Sequence, residues 1–503
     1  MRCNMAVVGW WASVRPVHLA RGHRFRGNWW RGESDISLPT GHRTRHLYGV
    51  GSSGSGKSRA QRHMICQDVD ANRGFTLVDP QDLQREVLAY IAEIALPGTP
   101  TPEKIARLGD KLVILEPADQ RFGAPGINLL ETTPGQVGYQ LVDAIIEVIR
   151  EIWPDCFGPR LEDVCRNALL LLLLQEQRLT VLEMLPLLSD ATFRQALVAR
   201  THNPELRLYF EGHLGGLRPA ELKTWVESSR NKWNAFLSNP FIRPILGQSR
   251  STINVRQIID EGKILIVNVS RDKLKESRRL LGALIVALIH QAAVSRENVP
   301  PEQRYFHGIF VDEFQEFWTP SFLHILEGGR KYGLGLSMFH QNLTQPPFSS
   351  DPAIVDTILA NSHTRMIFNV SRKDAERLAG ELFFPSGSEV QFQETCVGIP
   401  IERPKFWSLG AEREHYAAQL MQQRQGEVFI GFKGIGEDEP YAARIPHVPD
   451  VRPDREKIDI LKQHVAARYY RPLAEIRREI SQRWARIRQQ GAGPVPPIGD
   501  FRR

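Results

Sequence analysis

The apolar positions of this chain follow two rhythms. From residue 46 to residue 115 they come as short runs: His46-Leu47-Tyr48-Gly49-Val50, Gly74-Phe75-Thr76-Leu77-Val78 and Lys111-Leu112-Val113-Ile114-Leu115. The last two stop at Asp79-Pro80 and Glu116-Pro117, and the first runs into a glycine-rich loop. Short runs of this kind predict buried strands. Segments 58–70 and 82–94, which separate them, predict helices. This alternation predicts parallel strands joined by crossover helices.

From about 127 to 249 the rhythm changes to three- and four-residue spacing, as in Val142, Ala144, Ile145, Val148 and Ile149, or Leu182, Met184, Leu185, Leu187 and Leu188. This predicts helices and no strand. Strand-like runs return at 263–269, 307–311, 333–339 and 364–370, with a long helix over 278–295. The order predicts an α/β fold with a mainly parallel sheet over 39–126 and 251–450, interrupted by an all-α insertion domain at 127–250. Residues 383–407 contain Pro and Gly and are expected to be a loop. Residues 427–432 are expected to be an edge hairpin strand. Helix is expected over 458–488 with a break around Pro472, and disorder beyond residue 490.

Length and composition refine this picture. A chain of 503 residues has room for two or three domains. Five scattered cysteines without Cys-x-x-Cys spacing argue against a zinc site or a disulfide framework and suit a reducing cytoplasm. The leucine run 169–174 and the uncharged run 280–294 are too short to span a membrane and are expected to be buried helices. Segment 451–503 carries thirteen Lys/Arg against six Asp/Glu, an excess equal to the net charge of the whole chain, +7. Such a basic tail is expected to be a nucleic-acid arm or a solvated helix. Residues 1–38 place Trp10, Trp11, Trp29 and Trp30 among Arg21, Arg24, Arg26 and Arg31, an arrangement that suits base stacking or anchoring to the main domain.

Residues 51–58 (Gly51, Ser52, Ser53, Gly54, Ser55, Gly56, Lys57, Ser58) fit the phosphate-loop pattern G-x-x-x-x-G-K-[ST] at every fixed position. Triphosphate binding needs backbone N–H groups crowded around anionic oxygens, which glycines permit. Lys57 would reach the β- and γ-phosphates and the Ser58 hydroxyl would ligate Mg²⁺. The run 309–311 then ends in Asp312-Glu313, where a triphosphatase needs two carboxylates: Asp312 for the Mg²⁺ shell, Glu313 for the attacking water. Asp79 ends the strand after the loop helix, beside the phosphates or as a turn former before Pro80. Gln341 follows the 333–339 strand, as a γ-phosphate sensor or a polar loop residue. Arg330 is either a guanidinium presented to a neighbouring subunit or a surface ion pair.

Four blocks stand in order: the octet 51–58; Leu77-Val78-Asp79-Pro80-Gln81-Asp82-Leu83; Phe310-Val311-Asp312-Glu313-Phe314; and Glu327-Gly328-Gly329-Arg330-Lys331-Tyr332-Gly333-Leu334-Gly335-Leu336, closing on His340-Gln341-Asn342. Asn361-Ser362-His363-Thr364 and Val370-Ser371-Arg372-Lys373-Asp374-Ala375 follow. Together, over about residues 40–445, they resemble the HerA/FtsK superfamily of DNA-pumping ATPases, and within it the type IV secretion coupling ATPases (TraG/TraD-like). The resemblance implies a RecA-like P-loop NTPase fold, ATP at 51–58, and Mg²⁺ at Ser58 and Asp312. It makes Glu313 the catalytic carboxylate, Gln341 the sensor and Arg330 a finger acting in trans. It further implies a homo-hexameric ring that moves double-stranded DNA, with a nuclease- or relaxase-like partner at the helical domain. The alternative is an ATPase that hands over a protein substrate. Coupling ATPases usually begin with transmembrane helices and HerA proteins with a small β-barrel; neither is expected in residues 1–38.

Overall fold

The computed structural model describes residues 16–24, 33–95, 110–385, 390–395, 402–433, 439–448 and 453–491. The strands are β1 (Val17–Arg24), β2 (Ser34–Leu38), β3 (Leu47–Val50), β4 (Phe75–Asp79), β5 (Leu112–Leu115), β6 (Ala124–Pro125), β7 (Ile264–Asn268) and β8 (His307–Val311). There follow β9 (Leu334–His340), β10 (Thr364–Ile367), β11 (Val390–Thr395), β12 (Glu402–Phe406), β13 (Glu427–Phe432), β14 (Tyr441–Arg444) and β15 (Tyr470–Arg471). Eleven of them form one sheet, in the order β2-β1-β14-β13-β10-β3-β9-β8-β4-β7-β5. From β10 to β5 every neighbouring pair is parallel; β13, β14, β1 and β2 continue antiparallel. The α/β, mostly parallel expectation is met. Every residue of β3, β4, β5, β7, β8, β9 and β10 is buried, as continuous apolar runs covered by helices on both faces require.

Three expectations need correction. The 427–432 strand is not at an edge: β13 lies between β10 and β14, and β1 and β2 extend the sheet further. It does form a hairpin, with β14 as its immediate partner, and β14 is in turn covered by β1, from residues some 400 positions earlier. The N-terminal hairpin is tied to the core by Gln67, whose side chain accepts from His18 N (2.8 Å) and donates to His18 O (2.9 Å). The four tryptophans of that segment lie outside the described residues. The expected loop at 383–407 contains an antiparallel hairpin, β11 with β12, running from Val390↔Phe406 to Thr395↔Glu402. Its first strand alternates Val390, Phe392 with glutamines, a period of two hidden by the surrounding Pro and Gly.

The third correction concerns the basic tail. Helices Arg455–Tyr469 and Leu473–Gly491 form no separate arm: each packs one face on the fold and leaves the other to solvent. The first lies on β5 and on the helix Leu83–Ala95, the second on Ala191–Val198. Leu461, Val465, Ile476, Ile480 and Ile487 are buried. The tail's cations meet acids from elsewhere in the chain: Lys457–Glu93, Lys462–Glu116 and Asp119, Arg468–Asp110, Arg483–Glu183 and Arg488–Asp190. Five of the segment's cations are thus paired across the fold, with acids far away in sequence.

Between β6 and β7 the described residues hold helices and no strand, the longest being Gly138–Ile152, Pro159–Leu173 and Pro219–Leu237. The helix Ser277–Val294 packs against Gly138–Ile152. Among the described residues its span 277–298 is long and apolar enough to cross a membrane, yet 72% of its apolar 18-residue stretch is buried within the fold.

Candidate functional site

Parallel strands bring their C-terminal ends to one side of the sheet. There β3 delivers the loop, β4 delivers Asp79, β8 delivers Asp312 and Glu313, and β9 delivers Gln341. β9 separates the loop strand from the acid strand, so Gln341 emerges between them.

The loop is shaped by close approaches. Gly56 caps the helix Lys57–Asp70 at φ 118°, a left-handed conformation, and a Cβ there would come within 3.0 Å of Gly426 Cα. A Cβ on Gly51 would come 2.5 Å from Phe368 Cβ. The helix begins without a side-chain cap and without an acid in its first turn, which leaves backbone N–H groups and the positive dipole end facing the loop.

Lys57 Nζ donates to the carbonyls of Gly51 (2.6 Å) and Ser52 (3.0 Å). Burial pulls its ammonium below the usual value, and the carboxylates of Glu313 and Asp312 oppose this. Asp312 accepts from Gln61 Nε2 at 2.8 Å. Burial, then the charges of Asp79 and Glu313, push its carboxyl up to about 7 against that hydrogen bond and Lys57. Asp79 is fully buried and caps the next helix, accepting from the backbone N–H of Gln81 (2.9 Å) and Gln84 (2.8 Å). Burial nevertheless raises its carboxyl to about 6. Capping is thus a second role for Asp79, beside its place in the acid cluster.

Glu313 is a non-glycine residue at φ 48°, a strained conformation of the kind found where a side chain must be aimed. Two amides hold its carboxylate: Gln341 Nε2 donates to Oε1 (2.7 Å) and Gln315 Nε2 to Oε2 (2.6 Å). In this arrangement Gln341 faces Glu313. Gln61 and Gln315 were not singled out from the sequence. Glutamines carry no motif signal, and only the packing of the loop helix against β8 brings Gln61 to Asp312.

Ser53 and Ser58 are exposed beside the loop, and Ser58 Oγ makes no hydrogen bond among the described residues. Ser55 Oγ, Gln61 Oε1 and Gln315 Oε1 are buried without partners among the described residues. Three acids, one ammonium and orphaned polar atoms suit a polyanion carrying a divalent cation. Among the described residues no three His, Cys, Asp or Glu side chains form a complete metal cage. That suits Mg²⁺, which takes one or two protein ligands and completes its shell with phosphate and water.

Arg330 is at the other end. It is exposed in the turn Gly329–Tyr332 before β9, and it makes no ion pair among the described residues. β9 runs seven residues, which at about 3.3 Å each puts roughly 23 Å between Arg330 and the loop. Arg330 rims a cleft of about 690 Å³ at the strand starts, with Arg73, Arg304, Tyr305, Phe306 and Lys331.

No protein-family profile and no curated protein matches the chain. Solved structures do. It superposes on the bacterial conjugative coupling protein TrwBΔN70, unbound, with TM-score 0.55 and 18% identity over 83% of this chain and 88% of that one. The plasmid coupling protein TrwB in complex with ADP and Mg²⁺ gives 0.55 and 18% over 87% and 97%. Its complex with a non-hydrolysable ATP analogue gives 0.54 and 18% over the same shares. This chain has the coupling-protein fold. At such identity the likeness speaks for the coupling-protein fold alone, and the chemistry rests on the residues described above.

Proposed function

We propose that the chain is an ATP-driven motor: it hydrolyses ATP at subunit interfaces of a homo-hexameric ring and moves double-stranded DNA. The observation that carries this reading is the clamped Glu313, fixed by two amides beside Asp312 and Lys57 at the tip of a buried parallel sheet. TrwB, which shares the fold, binds ADP with Mg²⁺ and an ATP analogue in its solved structures. The loop residues 51–58 would hold the ATP phosphates, with Lys57 on the β- and γ-phosphates. Ser58 and Asp312 would hold Mg²⁺, which when bound neutralises charge developing on the phosphates.

The chain's own residues then have separable roles. Glu313 orients the attacking water and takes up its proton. Gln341 and Gln315 keep that carboxylate aimed. Arg330 is too far from its own loop to reach it, so it would serve a neighbour's site in trans. The helical region 127–250 is the proposed docking surface for a protein partner, of nuclease or relaxase type.

The test is ATP hydrolysis by the purified protein with and without linear double-stranded DNA. Strong stimulation, lost in Glu313→Gln, supports the DNA motor. Hydrolysis indifferent to DNA moves the reading to an ATPase that hands over a protein.

A further inference from the structure

The phosphate loop is gripped on the side away from Gln341. β10 lies beside β3, and the two residues after it, Phe368 and Asn369, lie against the loop. The backbone O of Asn369 accepts from Ser52 N (2.7 Å), and its Oδ1 accepts from Ser52 Oγ (3.2 Å). Its Nδ2 donates to the carbonyls of Met421 (2.6 Å) and Gln423 (3.1 Å), at and just past the end of the helix Leu409–Met421. Helix-terminal carbonyls lack intrahelical partners, so this amide both satisfies them and is itself held rigid. Three residues beyond Gln423, Gly426 N donates to Ser55 O at 2.8 Å, a second tether from the same turn.

Asn369 uses its acceptor and its donors at once. Aspartate lacks the donors, and alanine lacks both. The Ser52 carbonyl that follows this grip is one of the two that hold Lys57 Nζ. A chain of contacts therefore runs from the 421–426 turn through Asn369 and Ser52 to the loop lysine.

We infer that Asn369 is the positioning residue of the phosphate loop, a clip that sets nucleotide affinity without entering the chemical step. The inference rests on the nucleotide-binding reading above. A loop released from the clip must be organised by the nucleotide itself, so affinity falls while the aligned complex, once formed, reacts as before.

The test is titration of a fluorescent ADP analogue with Mg²⁺ into wild type, Asn369→Ala, Asn369→Asp and Lys57→Ala, together with steady-state ATP hydrolysis. Loss of one or two hydrogen bonds should raise the Kd and KM of both Asn369 variants about tenfold. Their kcat at saturating ATP should stay within about twofold of wild type, the pattern of a change in binding alone. Their nucleotide-free melting temperatures should fall by no more than a few degrees, the cost of the lost hydrogen bonds. Should the alanine variant fail to fold, the isosteric aspartate carries the test. Wild-type affinity in both, with binding lost in Lys57→Ala, overturns the clip and leaves the nucleotide site standing. A fall in kcat at unchanged KM also overturns it, by moving Asn369 into the chemistry. Equal binding by wild type and Lys57→Ala, or none by either, removes the nucleotide reading and the clip with it.

Discussion

The two ends of the parallel sheet are built on opposite plans. At the strand tips, charged and amide groups face one another within the chain: Lys57 on loop carbonyls, Gln61 on Asp312, Gln341 and Gln315 on Glu313, Asp79 on two backbone N–H groups. At the strand starts, Arg330 stands exposed on the rim of an open cleft with no ion pair among the described residues. A buried polar group is costly unless satisfied, so the tip network must be complete within the fold. An exposed guanidinium carries no such requirement, and one without an ion pair among the described residues is free to serve another molecule.

The comparison breaks first at Arg330. If it completes a neighbour's site, Arg330→Ala should lower ATP turnover about a thousandfold, the scale of a trans-acting arginine. Mixing it with Lys57→Ala protein should restore part of that activity, since mixed rings would pair an intact loop with an intact arginine. Full activity of Arg330→Ala alone would remove the argument for a shared site. At the other end, Glu313→Gln should lower kcat about a hundredfold with KM little changed, the loss expected for a water-activating carboxylate. Gln341→Ala, which frees one oxygen of Glu313, should cost about tenfold in kcat, the scale of one hydrogen bond to a charged group. A Gln341→Ala variant with raised KM and normal kcat would instead place this amide on the nucleotide.

How much of this was legible in the sequence depends on how local the signal is. The buried runs of β3, β4, β5, β7 and β8 announce themselves because most of their positions are apolar, and the glycine loop because phosphate binding needs its spacing. Lys57, Asp312, Glu313 and Gln341 were named from the strands that deliver them, and the fold brings the tips of those strands together. What was not legible is pairing across distance. A hairpin strand at 427–432 is legible, but not its place inside the sheet: its partner β14 is itself extended by β1 and β2, which come from residues 17–38. The tail reads as a nucleic-acid arm or a solvated helix because its partners Glu93, Asp110, Glu116, Asp119, Asp190 and Glu183 are some 300 or more residues away. Gln61, Gln315 and Asn369 carry no motif, and only three-dimensional neighbours give an amide a role.

The smallest effect expected concerns pH, and it sharpens the same contrast. Burial lowers His46, His63 and His290 to about 4 and His307 and His340 to about 3. Two of them, His46 and His307, sit at the strand starts. A histidine whose folded value lies below its unfolded one stabilises the fold above about pH 6.5 and loses that contribution as pH falls toward 4. Asp312 and Asp79, raised to about 7 and about 6, act in the opposite sense: they favour the fold at low pH and lose that contribution as pH rises through those values. Each titrating group changes stability by at most about 1.4 kcal/mol per pH unit. Five histidines therefore outweigh two aspartates, and the nucleotide-free protein should melt several degrees lower at pH 5 than at pH 6.5. Asp312→Asn removes an opposing slope, so its melting temperature should fall more steeply over this range, whereas His307→Gln should fall less steeply than wild type. A flat melting profile between pH 6.5 and 4.5, or a shallower one in Asp312→Asn, would mean that the acid cluster at the strand tips, and not the buried histidines, governs the acid response.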